Sequence, residues 1–128
     1  MLKRNDLVYP QLSYKIIGIL YEVFNELGYG HKEKYYQNAV VITLDKEKIK
    51  FERELYTPVQ YKNKTIGRYF LDFLIEGKVV LELKQGEQFS RSNINQVYSY
   101  LKSNNLQLGI IANFTSKAVK YRRIVNLS

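Results

Sequence analysis

Residues Tyr69 to Lys84 read YFLDFLIEGKVVLELK, and this stretch restricts the fold more than any other. Odd positions are apolar on both sides of Glu76-Gly77-Lys78: Tyr69, Leu71, Phe73 and Ile75, then Val79, Leu81 and Leu83. Even positions are mixed and hold Asp72, Glu82 and Lys84. Side chains alternate between faces along a strand, so the pattern predicts a hairpin whose strands each have one apolar face and one charged face. Pairing the apolar faces sets Ile75 opposite Val79, Phe73 opposite Leu81 and Leu71 opposite Leu83. Residues 76–78 then form the loop, and Asp72 is expected directly opposite Glu82. A two-residue loop would instead pair Asp72 with Leu81 and send the carboxylates to opposite faces, because a one-residue slip exchanges the faces of a whole strand.

Opposed like charges destabilise a strand pair. A bound cation, or Lys84 on the same face as Glu82, is expected to offset the repulsion. The bland alternative is a surface hairpin with solvated charges. The unbroken apolar odd positions and the placement of the three charges favour a site.

Composition narrows the chemistry. The chain has 128 residues, enough for one domain (1–128) with a real core. A hydrophobic fraction of 45%, with 12 Tyr and 6 Phe, predicts a folded globule. Without cysteine there is no disulfide, no thiolate nucleophile and no cysteine-ligated zinc. A single histidine argues against a histidine-based metal site or a histidine general base. No apolar run approaches the length of a membrane span and no signal-peptide core is visible, so a cytoplasmic protein without membrane contact is expected. The net charge of +8 suggests a polyanionic partner.

Along the chain, residues 1–10 read as a flexible lead-in. Pro10 can start a helix, and Gln11 to Leu27 is amphipathic, with Ile16, Leu20, Val23 and Leu27 in one stripe and Ile17, Tyr21 and Phe24 beside it. Gly28-Tyr29-Gly30 ends that helix. A second helix is expected from about His31 to Leu44, with Tyr35, Tyr36, Ala39 and Val40 inward. Glu33 lies in its first turn, where a carboxylate suits the helix dipole, and Gln37 follows one turn later on the same face. Phe51 to Lys62 predicts a strand that Pro58 confines to an edge or breaks, followed by a turn at Asn63-Lys64. After the hairpin, Ser90 or Ser92 can cap a helix running to about Ser103. Gln96 and Tyr100 share one face of it, and Val97 and Leu101 the other. Leu106 to Phe114 predicts a buried strand. The tail carries Lys117, Lys120, Arg122 and Arg123, either an ordinary charged element or a patch that contacts phosphates. This order predicts the α/β (α+β) class, a mixed central sheet flanked by helices, with a parallel crossover through the Gln96 helix.

The residues resemble a known family. A helix, Asp72, then Glu82-Leu83-Lys84, then another helix is the pattern of the PD-(D/E)XK nuclease superfamily, whose core is restriction-endonuclease-like. Gln96-Val97-Tyr98-Ser99-Tyr100 resembles the Q-x-x-x-Y motif of its RecB-like branch. Gly30-His31-Lys32-Glu33 resembles the small GxxExxY/GxxExxxR proteins, and the likeness extends from SYKIIG early to GIIANF late, nearly the whole chain. Two departures are visible. The arginine of the longer motif falls at Gln37, whereas the tyrosine of the shorter one falls at Tyr36. Phe70-Leu71-Asp72 stands where many RecB-like members carry Pro-Asp.

The resemblance implies phosphodiester hydrolysis with Mg²⁺ or Mn²⁺, hard cations that take oxygen ligands. It implies Asp72 and Glu82 as ligands, the Leu83 carbonyl as a further oxygen, and Glu33 approaching directly or through water. Lys84 is then expected to orient water and stabilise the developing anion, with Gln96 and Tyr100 positioning the substrate backbone or holding the residues that bind the metal. DNA is the expected substrate, and a homodimer or partner protein is one source of specificity for so small a chain. The competing reading is a nucleic-acid- or protein-binding module that keeps the fold and cleaves nothing. A purely structural domain is a third.

Overall fold

The computed structural model describes residues 8–127. Most of the expected lead-in, residues 1–7, lies outside them. Its last residues are not loose. Val8 is buried in the core, and its carbonyl accepts a hydrogen bond from Arg123 Nη2 at 2.6 Å. Pro10 opens the first helix, where its missing N–H costs nothing.

The elements are α1 (Pro10–Leu27), α2 (Glu33–Lys46), β1 (Phe51–Tyr61), β2 (Lys64–Ile75), β3 (Val79–Gln85), α3 (Arg91–Ser103), β4 (Leu108–Phe114) and β5 (Val119–Val125). The strands form one sheet in the order β1-β2-β3-β4-β5, with β3 and β4 parallel and the other pairs antiparallel. The mixed α+β sheet and the parallel crossover through α3 are as expected. β1 is an edge strand and accommodates Pro58, which lies opposite Arg68.

Two apolar layers hold the sheet. On one face α1 and α2 bring Ile16, Leu20, Val23, Tyr36, Val40 and Leu44 onto Phe73, Leu81, Ile110 and Phe114. On the other, α3 brings Val97 and Leu101 onto Leu55, Leu71, Val80, Ile111 and Ile124. A Cβ on Gly109 would lie 2.5 Å from Val97 Cγ1, so α3 can rest on β4 only because this residue has no side chain.

Several boundaries shift for local reasons. α2 starts at Glu33, not His31, because Lys32 is extended. The His31 ring instead closes the α1–α2 corner, with Nε2 2.9 Å from the Leu27 carbonyl. Tyr36 is fully buried but Tyr35 is half exposed, contrary to its expected inward position. The β1–β2 turn is Lys62-Asn63, both left-handed (φ 47° and 64°), one residue earlier than expected. This is the geometry that a two-residue hairpin turn favours. Leu106 does not start β4; its N–H donates to the Leu101 carbonyl and closes the end of α3. Ser90 caps α3, its hydroxyl accepting the Asn93 N–H at 3.2 Å.

The largest correction concerns β2. Phe73 and Ile75 pack on the α1–α2 side, but Leu71 packs on the α3 side. The strand therefore changes face at Asp72, and Leu71 does not meet Leu83, which stays on the α1–α2 side. The cause is in β1. Glu54 has φ 56° and is skipped in the ladder between Arg53↔Phe73 and Leu55↔Leu71. A left-handed residue inside a strand kinks it and redirects the side chains beyond it.

Candidate active site

The β2–β3 ladder has the expected register, Ile75↔Val79, Leu74↔Val80 and Phe73↔Leu81, and then stops. Asp72 and Glu82 do not form the next pair. Their carboxyl groups enter the opening between the strands and take over the backbone donors there. Glu82 Oε1 accepts the Asp72 N–H at 3.0 Å, and Asp72 Oδ2 accepts the Leu83 N–H at 2.8 Å. The expected direct cross-strand pair is thus replaced by a gap in which each acid ties down the other strand. Two acids in water would avoid each other; here backbone N–H groups fix them side by side.

Burial decides the electrostatics. Glu82 is 4% exposed. Its carboxyl is pushed up to about 8, first by burial and then by the charge of Asp72. Asp72 is also held above the ordinary carboxylate range, again first by burial, while the Leu83 N–H and Lys84 pull the other way. Lys84 Nζ lies 3.7 Å from Glu82 Oε2 and does not cancel the effect, because the lysine side chain is 40% exposed and solvent screens it. Two acids in so little water resist losing both protons, and added positive charge reverses that resistance.

The second helix closes one side. Gln37 Nε2 donates to Asp72 Oδ1 at 3.0 Å, and Arg53 Nη2 lies 3.5 Å from Gln37 Oε1. Glu33 Oε2 accepts the Gln85 N–H at 3.1 Å, which ties the start of α2 to the end of β3. Its charge still reaches Asp72, adding to the rise there. Among the described residues no three His, Cys, Asp or Glu side chains gather closely enough to hold a metal ion. Glu33 thus stands apart from the acid pair. The pair itself suits Mg²⁺ or Mn²⁺: two hard oxygen donors at one gap, with water to complete the shell.

The other expected residues are spread out. Leu83 enters the site through its N–H. Gln96 is half-buried, and its backbone carbonyl accepts the Tyr69 hydroxyl at 3.3 Å. Burial first, and then the charge of Glu52, raise the Tyr100 hydroxyl. Lys84 pairs with Asn113 and Asn113 with Lys120, while Glu82 pairs with Ile111 and Ile111 with Arg122. Lys120 and Arg122 thus sit in the rows of Lys84 and Glu82, two strands or about 10 Å away. Arg123 alternates to the α1 side and holds Val8, and Lys117 lies in the turn before β5.

Sequence reasoning gave no site role to Gln37, Tyr69 or Asn113. The spacing of four from Glu33 was the signal for Gln37. Tyr69 is felt through Glu82, whose charge, after burial, raises its hydroxyl. Asn113 Nδ2 donates to the Gln88 carbonyl at 2.7 Å and secures the loop after Lys84. No local pattern marks these last two.

Comparison with known proteins bears on the family and the fold. A family-level match to the PD-(D/E)XK nuclease superfamily covers residues 10–124. The crystal structure of SSO0001 is similar in fold, with a TM-score of 0.53 and 16% identity over 96% of this chain and 61% of that one. This chain therefore spans less than two thirds of that protein's length. A search of curated proteins finds no match. The family match runs from the start of α1 into β5 and takes in the acid-lined gap and Lys84, and the chain belongs to the PD-(D/E)XK nuclease superfamily.

Proposed function

We propose that the chain is a metal-dependent nuclease that hydrolyses phosphodiester bonds, with DNA as substrate, and that it stands with the GxxExxY proteins of the RecB-like branch. One observation carries the reading: a buried acid pair, held in place by backbone N–H groups, with Glu82 pushed up to about 8. Such a pair is unfavourable alone and becomes favourable around a divalent cation. Asp72, Glu82 and the Leu83 carbonyl would hold Mg²⁺ or Mn²⁺, with Glu33 acting through water, and the ion would supply phosphate charge neutralisation and an activated water.

The chain's own residues do the rest. Gln37 orients Asp72 through its hydrogen bond to Oδ1. The Lys84 ammonium, anchored near Glu82, donates to the charge that develops on the phosphate oxygens. Gln96 and Tyr100 position the backbone along α3. Lys120 and Arg122 attract phosphates toward the gap, with Lys117 and Arg123 farther out. Residues 1–128 act as one domain, in the cytoplasm, with a second copy or a partner protein supplying specificity. For the family branch, the support is the Gly30, Glu33 and Tyr36 spacing. Tyr36 serves the fold, its ring stacked on Phe114 at 4.0 Å.

One observation favours the silent binding module: Glu33 is committed to the Gln85 N–H and not to the acid pair. The deciding experiment is cleavage of labelled linear and circular DNA with Mg²⁺, with Mn²⁺ and with EDTA. The nuclease reading expects cutting only with metal, lost in Glu82→Ala and Asp72→Ala and strongly slowed in Lys84→Ala. Wild type that cuts nothing with either metal, or Glu82→Ala that cuts equally well, leaves the binding module.

A further inference from the structure

Residues 55–71 read LYTPVQYKNKTIGRYFL and contain Lys62, Lys64 and Arg68 but no acid. In the fold they form a two-stranded ribbon. The β2–β3 ladder covers only Phe73 to Ile75, so over this length β1 and β2 pair with each other and extend past the rest of the sheet. Every residue from Tyr61 to Arg68 is exposed. Large rings lie open to solvent on it, with Tyr56 54% and Phe70 50% exposed. Those two are cross-strand partners, and their rings meet edge to face at 5.8 Å.

The orientation ties this face to Asp72, the acid that α2 reaches, whereas Glu82, in the row of Ile111, lies on the α3 side. Leu71 packs toward α3, so Phe70, its neighbour, points the other way, as does Tyr56 beside the α3-facing Leu55. That is the side from which Gln37 reaches Asp72. Phe70 is two residues before Asp72, about 7 Å along the strand, and Arg68 is two further on. Travelling outward from Asp72, a bound chain would meet the aromatic pair and then Arg68, which pairs with Pro58 on the same face. The register shifts between Val59 and Gln60, so Lys64 pairs with Tyr61 on the reverse face, and Lys62 lies over the Tyr61 ring at the tip.

We propose that this ribbon face binds single-stranded nucleic acid, stacking unpaired bases on Tyr56 and Phe70 while Arg68 on the same face holds a phosphate and Lys64 and Lys62 supply positive charge at the tip. The proposal rests on the nuclease reading and narrows it to a substrate class. Exposed rings gain from bases that have lost their stacking partners, whereas a duplex keeps its bases stacked and offers the ribbon only phosphates. The acid-free composition suits a polyanion, and a purely apolar protein partner has no use for three cations.

Anisotropy in EDTA tests this without cleavage. The probes are fluorescein-labelled oligothymidylate and oligouridylate of about 12 nucleotides and a blunt DNA duplex of equal length. The expected result is tighter binding of single strands than of duplex. Tyr56→Ala with Phe70→Ala should weaken single-strand binding roughly 10-fold or more and leave duplex binding nearly unchanged. The control is Tyr14→Ala, an exposed tyrosine on α1 that should alter neither. The chain has no tryptophan, so Phe70→Trp installs one indole whose fluorescence oligothymidylate should quench while affinity is kept. The DNA and RNA arms show which sugar is preferred. Duplex bound as tightly as single strands, an unweakened double variant, or an unquenched Phe70→Trp overturns the proposal. So does light scattering that shows a wild-type dimer lost in the double variant, which assigns the face to self-association. Binding that follows the prediction in a protein that never cuts DNA sinks the nuclease reading and leaves this one standing.

Discussion

The Asp72 N–H donates to the carboxylate of Glu82 across the opening between β2 and β3, at 3.0 Å. The reciprocal bond, from Leu83 N–H to Asp72 Oδ2, is 2.8 Å. The two acids thus take the place of ladder hydrogen bonds, and the strands part where the ladder would have continued. The fold keeps the acids together despite their charge because each satisfies a backbone donor that would otherwise lack a partner.

Metal-free protein should lose stability as pH rises. The folded pKa of Glu82, about 8, lies above its ordinary value of 4.5. The folded state therefore holds this proton more tightly than the unfolded chain does. Its stabilising contribution is complete below pH 4.5 and is lost as pH rises through 8. Thermal unfolding in EDTA should show a Tm that falls across this window. Glu82→Gln, which cannot ionise, should flatten the fall, and Mg²⁺ should reverse it in wild type alone. An unchanged slope in Glu82→Gln would remove Glu82 as its source.

Gln37→Ala should weaken divalent-ion binding without unfolding the chain. It deletes the donor to Asp72 Oδ1 and the acceptor near Arg53. Loss of a hydrogen bond that orients a ligand costs roughly 10- to 100-fold in metal affinity. Calorimetric titration with Mn²⁺ measures this. An affinity equal to wild type would mean that Gln37 does not orient Asp72.

Tyr36→Ala should act on stability first. The ring is fully buried and stacked on Phe114, and its hydroxyl donates to the Gly28 carbonyl. Truncating a buried aromatic costs about 3–5 kcal/mol, whereas Tyr36→Phe, which loses only the hydroxyl, should cost about 1 kcal/mol. Urea unfolding distinguishes the two. If Tyr36→Phe abolished metal binding at unchanged stability, the tyrosine would belong to the site.

Much of this arrangement was legible in the chain. Alternation around Glu76-Gly77-Lys78 predicts both strands and the pairs Phe73↔Leu81 and Ile75↔Val79, because those positions obey the period of two. It fails at Leu71, since the change of face depends on Glu54 in another strand and on carboxylates competing with the ladder. Tyr35 and Tyr36 are chemically alike neighbours, and only the position of Phe114 decides which goes inward. The exposed ribbon was hidden for a similar reason. Tyr56 and Phe70 have the composition of core residues, and their exposure follows from where β3 stops pairing.

The most direct test of the acid-lined gap is a crystal soaked in Mn²⁺ and measured by anomalous scattering. One peak is predicted between the carboxylates, about 2.1 Å from an oxygen of Asp72 and of Glu82 and reduced or absent in Asp72→Ala. A strong peak elsewhere, or none at saturating Mn²⁺ with both carboxylates ordered, would contradict the assignment of this gap as a metal-dependent active site.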